Sequence, residues 1–527
     1  MTAHEKYVLA IDLGTSGAKI ALVSVHGEVA GWESEAVPLH VLPNGGAEQD
    51  PHDWWRAIVK GTRRLLGKSL APIGDVVAVC AATQGAAAIP VDRGGECLAN
   101  AMIWLDSRGA ALSQKLVKGM INIEGYDLLK LLRWVRLTAG VPSLSGKDLI
   151  GHVLYLKHER PEIYQKTYKF LDVVDYIDLR LTGKFIATSD TAGMTWVTDN
   201  RDPQHIRYHP GLIRETGIDP EKLPEIKRCI DVLGPIKPEV AKELGLREDV
   251  QVVAGAFDLP AAAVGSGAVE DYVAHLSIST SSFITVHVPY MKTDLFSKMA
   301  SLPCVIPDRY LLCAEQEAAG VNLTFLRDNI LFHDDPLLAG KPEDYFAALN
   351  QAAEQAPAGC QGLIFTPWIY GERAPVDDPY IRAGVHNLSL ENTRQDLVRA
   401  IMEGVAFNSR WMLGPVEKFC GRKMDPIIMV GGGANSNLWC QIHADVLGRT
   451  IKHGKNPIQA AARGAAFIAA VGLAYIQFKD IPGLVQFQGE YQPNPANRTL
   501  YDRMFVEFTA LYKQNKSIYR RLNRARA

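Results

Sequence analysis

Residues 7–13 are apolar except for Asp12, and the run stops at Gly14-Thr-Ser-Gly17 before a second apolar run from Ala18 to Val25. That pattern predicts a strand, a tight polar turn and a returning strand. His26-Gly27 makes a further turn and Glu28–Ala36 continues as strand, so the chain opens as a three-strand meander. A helix follows from Pro51, with Asp50 as its N-cap. Val76–Ala81 and Ala88–Val91 read as buried strands, and Pro161–Leu181 reads as one helix stopped by Gly183. The opening pattern then recurs. Residues 273–288 run strand, Ser277–Ser282 turn, strand, after a buried strand that begins at Val250 and ends at Gly255. Asn392–Cys420 has the spacing of a long amphipathic helix, with Leu397, Ile401, Val405, Phe407 and Met412 on its apolar side. Ile427–Val430 is a strand that enters Gly431-Gly-Gly-Ala434 and then a helix, and 459–475 is an alanine-rich packed helix.

A pattern used twice, each time followed by alternating strands and helices, predicts two α/β domains facing one another across a cleft. The 527-residue length is too great for one core. The expected division is 1–262, 263–475 and a helical extension at 476–527. Lys plus Arg is 56 and Asp plus Glu is 58, which argues against a nucleic-acid surface. The basic cluster Lys513, Lys516, Arg520, Arg521, Arg524 and Arg526 accompanies the apolar stripe Leu500, Met504, Phe508, Leu511 and Leu522, the pattern of a docked last helix with a solvated face. No apolar run approaches the 18 residues of a membrane span, and the eight cysteines form no Cys-x-x-Cys pair. Reduced thiols in a cytoplasmic protein is the expectation. His205 and His209 have ligand spacing but sit between prolines without a nearby cysteine, and they read as loop.

The chemistry starts at Asp12. One carboxylate beside Gly14, Thr15 and Ser16 can hold a metal ion while the turn holds the phosphate that the metal bridges, although an ordinary glycine-rich hairpin has the same pattern. Asp258 follows a buried strand, where a carboxylate projects into the crevice of an α/β protein. There it would serve phosphoryl transfer to an alcohol as base, or be a simple helix-capping aspartate. The triple glycine fails the dinucleotide fingerprint, because its third position is Ser436 and 450–456 carries no acidic residue.

Six motifs in order then carry a resemblance: Asp12-Leu-Gly-Thr-Ser-Gly, Glu48-Gln-Asp-Pro-His-Asp-Trp-Trp55, Trp104-Leu-Asp106-Ser-Arg108, Gly255-Ala-Phe-Asp258, Gly371-Glu-Arg-Ala-Pro375 and Gly431-Gly-Gly-Ala-Asn-Ser-Asn-Leu-Trp-Cys-Gln441. The chain resembles the FGGY carbohydrate kinases over roughly residues 7–475, most nearly their xylulose kinase branch. The resemblance implies two actin-like ATPase (ribonuclease H-like) domains flanking a central cleft, with Mg²⁺ and ATP against a small sugar or polyol. Asp258 falls on the catalytic base, and Asp12 on the aspartate near metal and phosphates, the two together being the metal-side carboxylates. Gly14, Thr15 and Ser16 match the first phosphate turn. Ser279, Thr280 and Ser281 match the second. Gly320 is a further nucleotide contact, and Gly432, Gly433 and Asn437 match the adenosine loop. Trp104 and Asp106 match residues at the sugar site.

Two departures matter. Gln84, Gly85 and Ala86 fall at the sugar site, but Gln84-Gly85-Ala86-Ala87 stands where xylulose kinases have Gln-Met-His-Gly, so the sugar-touching Met-His pair is missing at Gly85 and Ala86, and Gly and Ala are expected to leave more room. Ser279 and Ser282 stand where glycines are usual in the second turn. The expected activity is ATP-dependent phosphorylation of a primary hydroxyl of a small sugar (a pentulose such as xylulose or ribulose) or a sugar alcohol. The rivals are a sensor of the same fold without efficient transfer, a chaperone-type ATPase and a dinucleotide oxidoreductase. No membrane or nucleic-acid partner is expected, and a homodimer is left open.

Overall fold

The computed structural model describes residues 5–331 and 344–524. Arg526 of the basic cluster lies outside them. The opening meander forms as β1 (Tyr7–Gly14), β2 (Gly17–Ser24) and β3 (Val29–Ala36), and α1 (Pro51–Gly67) follows. The Asp50 side chain accepts from the His52 N–H at 2.8 Å and caps α1, a contact worth about 1 kcal/mol. The sheet is completed by β4 (Val76–Thr83), β5 (Val232–Pro235) and β6 (Gln251–Phe257), in the order β5-β6-β4-β1-β2-β3. β4 lies parallel to both β1 and β6.

Alternation along the strands splits the apolar residues between two faces. Leu9, Ile11, Val79 and Val252 pack with Trp54 and Ile58 of α1 and with Tyr176 and Ile177 of α2 (Val173–Thr182). Val8, Ala10, Val23, Cys80 and Val253 face α3 (Asp258–Ser266).

The second sheet repeats the plan. β7 (Ala274–Ile278) and β8 (Ser282–Val288) form its hairpin. With β9 (Thr293–Asp294), β10 (Met299–Pro303), β11 (Tyr310–Gln316), β12 (Ile427–Val430), β13 (Ile451–Gly454) and β14 (Phe487–Tyr491) the order is β9-β10-β11-β8-β7-β12-β13-β14. In both sheets an antiparallel hairpin carries a third antiparallel strand on one side and two parallel strands on the other, which is the α/β duplication expected from the sequence. α4 (Arg394–Cys420) and α5 (Asn437–Leu447) bury one face of this sheet. The alanine-rich helix α6 (Ala460–Gly472), assigned from sequence to the second half, packs on the first sheet beside α3. The two helices nearly touch, since a Cβ on Gly464 would stand 1.8 Å from the Ala261 carbonyl oxygen. α7 (Pro495–Asn523) docks on the second core through Tyr501, Met504 and Phe508.

Two expectations are corrected. Pro161–Leu181 is not one helix: a helix at Pro161–Lys166 and a short strand at Lys169–Leu171 precede α2. Asp172 and Asp175 start α2 with a capping box, and Gly183 ends it in the left-handed region, as predicted. Leu522 is exposed and Tyr501 takes the buried place, because the end of α7 extends past the core that its earlier turns cover.

His205 lies in a turn paired to Asp202, and His209 caps a short helix. Among the described residues no cluster of three or more His, Cys, Asp or Glu could hold a metal by itself. None of their helices is long and apolar enough to cross a membrane, and all eight cysteines are free thiols.

Candidate active site

The first turn is a two-residue hairpin loop. Gly14 pairs with Gly17, so Asp12 stands opposite Lys19 on the same face. Lys19 Nζ reaches Asp12 Oδ2 at 2.9 Å, and Asp12 is 4% exposed. Burial works against the Lys19 charge, but Asp12 and Asp258 more than offset it, and its pKa is raised. Asp258 opens α3 from the end of β6. Gly255, at φ +78°, makes the bend that brings it there, since a Cβ at that position would stand 2.2 Å from the Ala81 carbonyl oxygen. Asp258 is not a capping side chain; the N-cap residue is Phe257, with no side-chain cap bond. Burial first, then repulsion from Asp12, pushes the Asp258 carboxyl up to about 7, against the opposing pull of the Leu259 N–H and Lys19. A carboxylate poised near neutrality beside a second carboxylate and an ammonium suits a general base next to a site for phosphate and a divalent cation.

The second sheet supplies the facing wall. Glu315 acts electrostatically on Asp258 and pairs with Arg373 at 2.7 Å, and Arg373 also pairs with Glu317. The Arg373 guanidinium lies 5.9 Å from the Trp104 ring, a contact from one domain to the other. Behind it Glu372 is buried, and burial pushes its carboxyl up to about 8, although Asn408 and the Arg373 and Glu317 N–H groups donate to it.

Ser279–Ser281 form the second turn, where the Ser279 N–H donates to the Ser281 carbonyl at 2.9 Å. Gly320 lies against it: its N–H donates to the Ser279 carbonyl at 2.7 Å, and a Cβ would stand 2.5 Å from that oxygen. Gly433 backs onto Ile278, Gly432 faces open space, and Asn437 begins α5, its Oδ1 accepting from the Tyr491 hydroxyl at 2.6 Å. The turn, Gly320 and the glycine loop thus form one surface. Ser279 and Thr280 are exposed there. Ser282 is 0% exposed, so its hydroxyl is buried away from that surface.

The sugar-side residues are placed differently from expectation. Thr15 donates to Gln84 Oε1 at 2.7 Å and accepts from Trp104 Nε1 at 2.9 Å. Gln84 Nε2 donates to Gln49 Oε1 at 2.7 Å, and Gln49 Nε2 donates to the Thr15 carbonyl at 2.8 Å. Gln84, 3% exposed, therefore holds the first turn in place. Asp106 is 0% exposed, beneath the site, where it accepts from the Ala47 N–H and from Arg108. Its oxygens are taken up by these partners, so in this structure it supports the site from below. Ser16 is exposed at the turn.

The extra room expected at Gly85 is also absent: the Phe257 ring fills it, and a Cβ on Gly85 would stand 2.0 Å from Phe257 Cε1. Sequence reasoning passed over Lys19, although a two-residue turn after Asp12 places residue 19 opposite by counting alone. Glu315, Glu317 and Phe257 carried no local signal. Arg373 lay in a quoted motif without an assigned role.

Residues 7–265 match the FGGY family of carbohydrate kinases, N-terminal domain, and residues 274–473 match its C-terminal domain. The chain is 29% identical over 517 residues to a xylulose kinase of Staphylococcus epidermidis, covering 98% of each chain. A gluconate kinase structure from Lactobacillus acidophilus superposes with a TM-score of 0.83 at 25% identity, over 98% of this chain and 100% of that one. A ligand-bound xylulose kinase structure from the same organism shares the fold with a TM-score of 0.83 at 24% identity, over 98% and 100% of the two chains. The chain belongs to the FGGY family of carbohydrate kinases, enzymes that phosphorylate sugars with ATP.

Lys19 yields a prediction here. Replacing it by Met removes a cation that lowers the Asp258 pKa. The acid limb of the pH–rate profile is then expected to move to higher pH; an unmoved limb would separate Lys19 from the base.

Proposed function

We propose that this protein transfers the γ-phosphate of ATP to a primary hydroxyl of a small ketose or polyol, a five-carbon ketose or a four- or five-carbon polyol being the size considered. The observation that carries the reading is Asp258 at the start of α3, facing the Asp12–Lys19 pair with its carboxyl near neutrality. Asp258 accepts the hydroxyl proton as the oxygen attacks phosphorus. Lys19 holds Asp12 in place and offsets part of the negative charge between the two aspartates. Two oxygen-only side chains, with no third ligand among the described residues, fit Mg²⁺, which keeps waters and phosphate oxygens in its shell. When bound, the ion offsets phosphate charge and lessens the repulsion between Asp12 and Asp258. The exposed Ser279–Thr280 turn, Gly320, Gly432 and Asn437 form the nucleotide side. The Arg373–Trp104 contact spans the two halves near the acceptor, and closing there would exclude water as a competing acceptor. Eight free thiols support a reducing, cytoplasmic setting.

A coupled ADP-release assay over ketoses and polyols tests the reading. The expected result is release that depends on the acceptor. Release equal with and without every acceptor would overturn it. ATP binding without any release would make the chain a binding protein of the same fold.

A further inference from the structure

The acceptor side of the cleft carries an apolar wall next to the base. Phe257 immediately precedes Asp258, and its ring lies on Gly85, with Cε1, Cδ1 and Cζ all within 2.7 Å of where a Gly85 Cβ would stand. The ring is partly exposed and is absent from the core clusters on both faces of the first sheet, so it does not serve the domain interior. Its place is fixed from below. The Phe257 N–H donates to Asp190 Oδ2 at 2.8 Å. Asp172 accepts from the Ala86 and Ala87 N–H groups at 3.0 and 3.1 Å, and Ala86 is held at φ +58°.

A second observation is independent of the ring. The side chains that would read sugar hydroxyls here are already paired within the protein: Gln84 with Thr15 and Gln49, Trp104 Nε1 with Thr15, and Asp106 with Ala47 and Arg108. A hydroxyl placed against this wall would lose its water and meet side chains that must share or give up a hydrogen bond to the protein to receive it, whereas a methyl or methylene needs no partner there.

We propose that Phe257 is a specificity-determining residue that selects deoxygenated acceptors: small deoxyketoses or deoxypolyols whose methyl or methylene lies against its ring. The proposal rests on the kinase reading and narrows its substrate class. The transfer is unchanged: the acceptor oxygen forms a bond to the γ-phosphorus, the bond from that phosphorus to the β,γ-bridging oxygen breaks, ADP leaves, and the proton goes to Asp258.

The test compares kcat/KM by ADP release for ribulose, xylitol and erythritol, each against its monodeoxy analogues. The full chain is expected to favour a monodeoxy analogue by about 10-fold or more, the scale on which an apolar pocket discriminates. Phe257→Ala is expected to move the ratio toward the hydroxylated acceptor, and Phe257→Leu, which keeps the apolar wall, to retain the preference. A wild-type preference for hydroxylated acceptors overturns the proposal and leaves the kinase reading intact. So does a Phe257→Ala enzyme that loses rate equally on both members of each pair. Should Phe257→Ala not fold, the wild-type and Phe257→Leu ratios decide. Absence of release with every acceptor counts against the kinase reading itself.

Discussion

Replacing Asp258 by Asn is expected to lower kcat about 1,000-fold, within the range that positioned general bases contribute, while the affinity for ATP changes little. Asn keeps the shape at the start of α3 but cannot take the proton. The pH dependence of the wild type supports the same assignment. Asp258 must be ionised to act, and its carboxyl sits near 7, so kcat/KM of the free enzyme is expected to rise with pH up to about 7 and level above it. The cause is separable. Burial is the first contribution and Asp12 the second, so Asp12→Asn should shift the acid limb to lower pH, opposite to Lys19→Met. Asp258→Asn should remove that limb from whatever slow turnover remains. A variant with near-normal kcat, or an acid limb that survives the substitution, would sink the base assignment.

The parts legible in the sequence were those fixed by local pattern. The two hairpins, their polar turns and the buried strand leading to Asp258 follow from apolar runs and from where glycine or small polar residues interrupt them. The strand at Lys169–Leu171 was not legible, because it is short and lies between two helical segments whose apolar spacing runs on through it. Asp172 followed by Asp175 was the available signal for a new helix start. Tertiary pairings were hidden for a different reason. Nothing near Gly85 in the chain says that Phe257 will occupy the space its missing side chain leaves. Nothing near Asp106 says that Ala47 and Arg108 will consume its oxygens. A motif fixes which residues surround a site, but hydrogen-bond accounting on the folded chain decides which have a polar atom left for a ligand.

That accounting also singles out a buried polar contact between α4 and α7. Arg399→Met is expected to destabilise the protein by about 3–5 kcal/mol, the cost of leaving a buried charge without its partner. Arg399 pairs with Glu403 at 2.8 Å one turn along α4, their side chains 10% and 1% exposed. The same Glu403 oxygen accepts from the Tyr501 hydroxyl of α7 at 2.8 Å and from the Gly359 N–H at 3.1 Å, while the other oxygen has no partner. Burial already raises the Glu403 pKa against the pull of Arg399, and removing Arg399 raises it further. A carboxyl whose folded pKa lies above its unfolded one gains protons on folding, so the stability of Arg399→Met should fall as pH rises above the usual carboxylate range. Denaturant unfolding at pH 5 and pH 8 is expected to show the larger loss at pH 8. Adding Glu403→Gln should recover most of it, since the amide is neutral and can still accept from Tyr501. A double variant no more stable than Arg399→Met would show that the loss arises from packing of the arginine rather than from the stranded carboxylate.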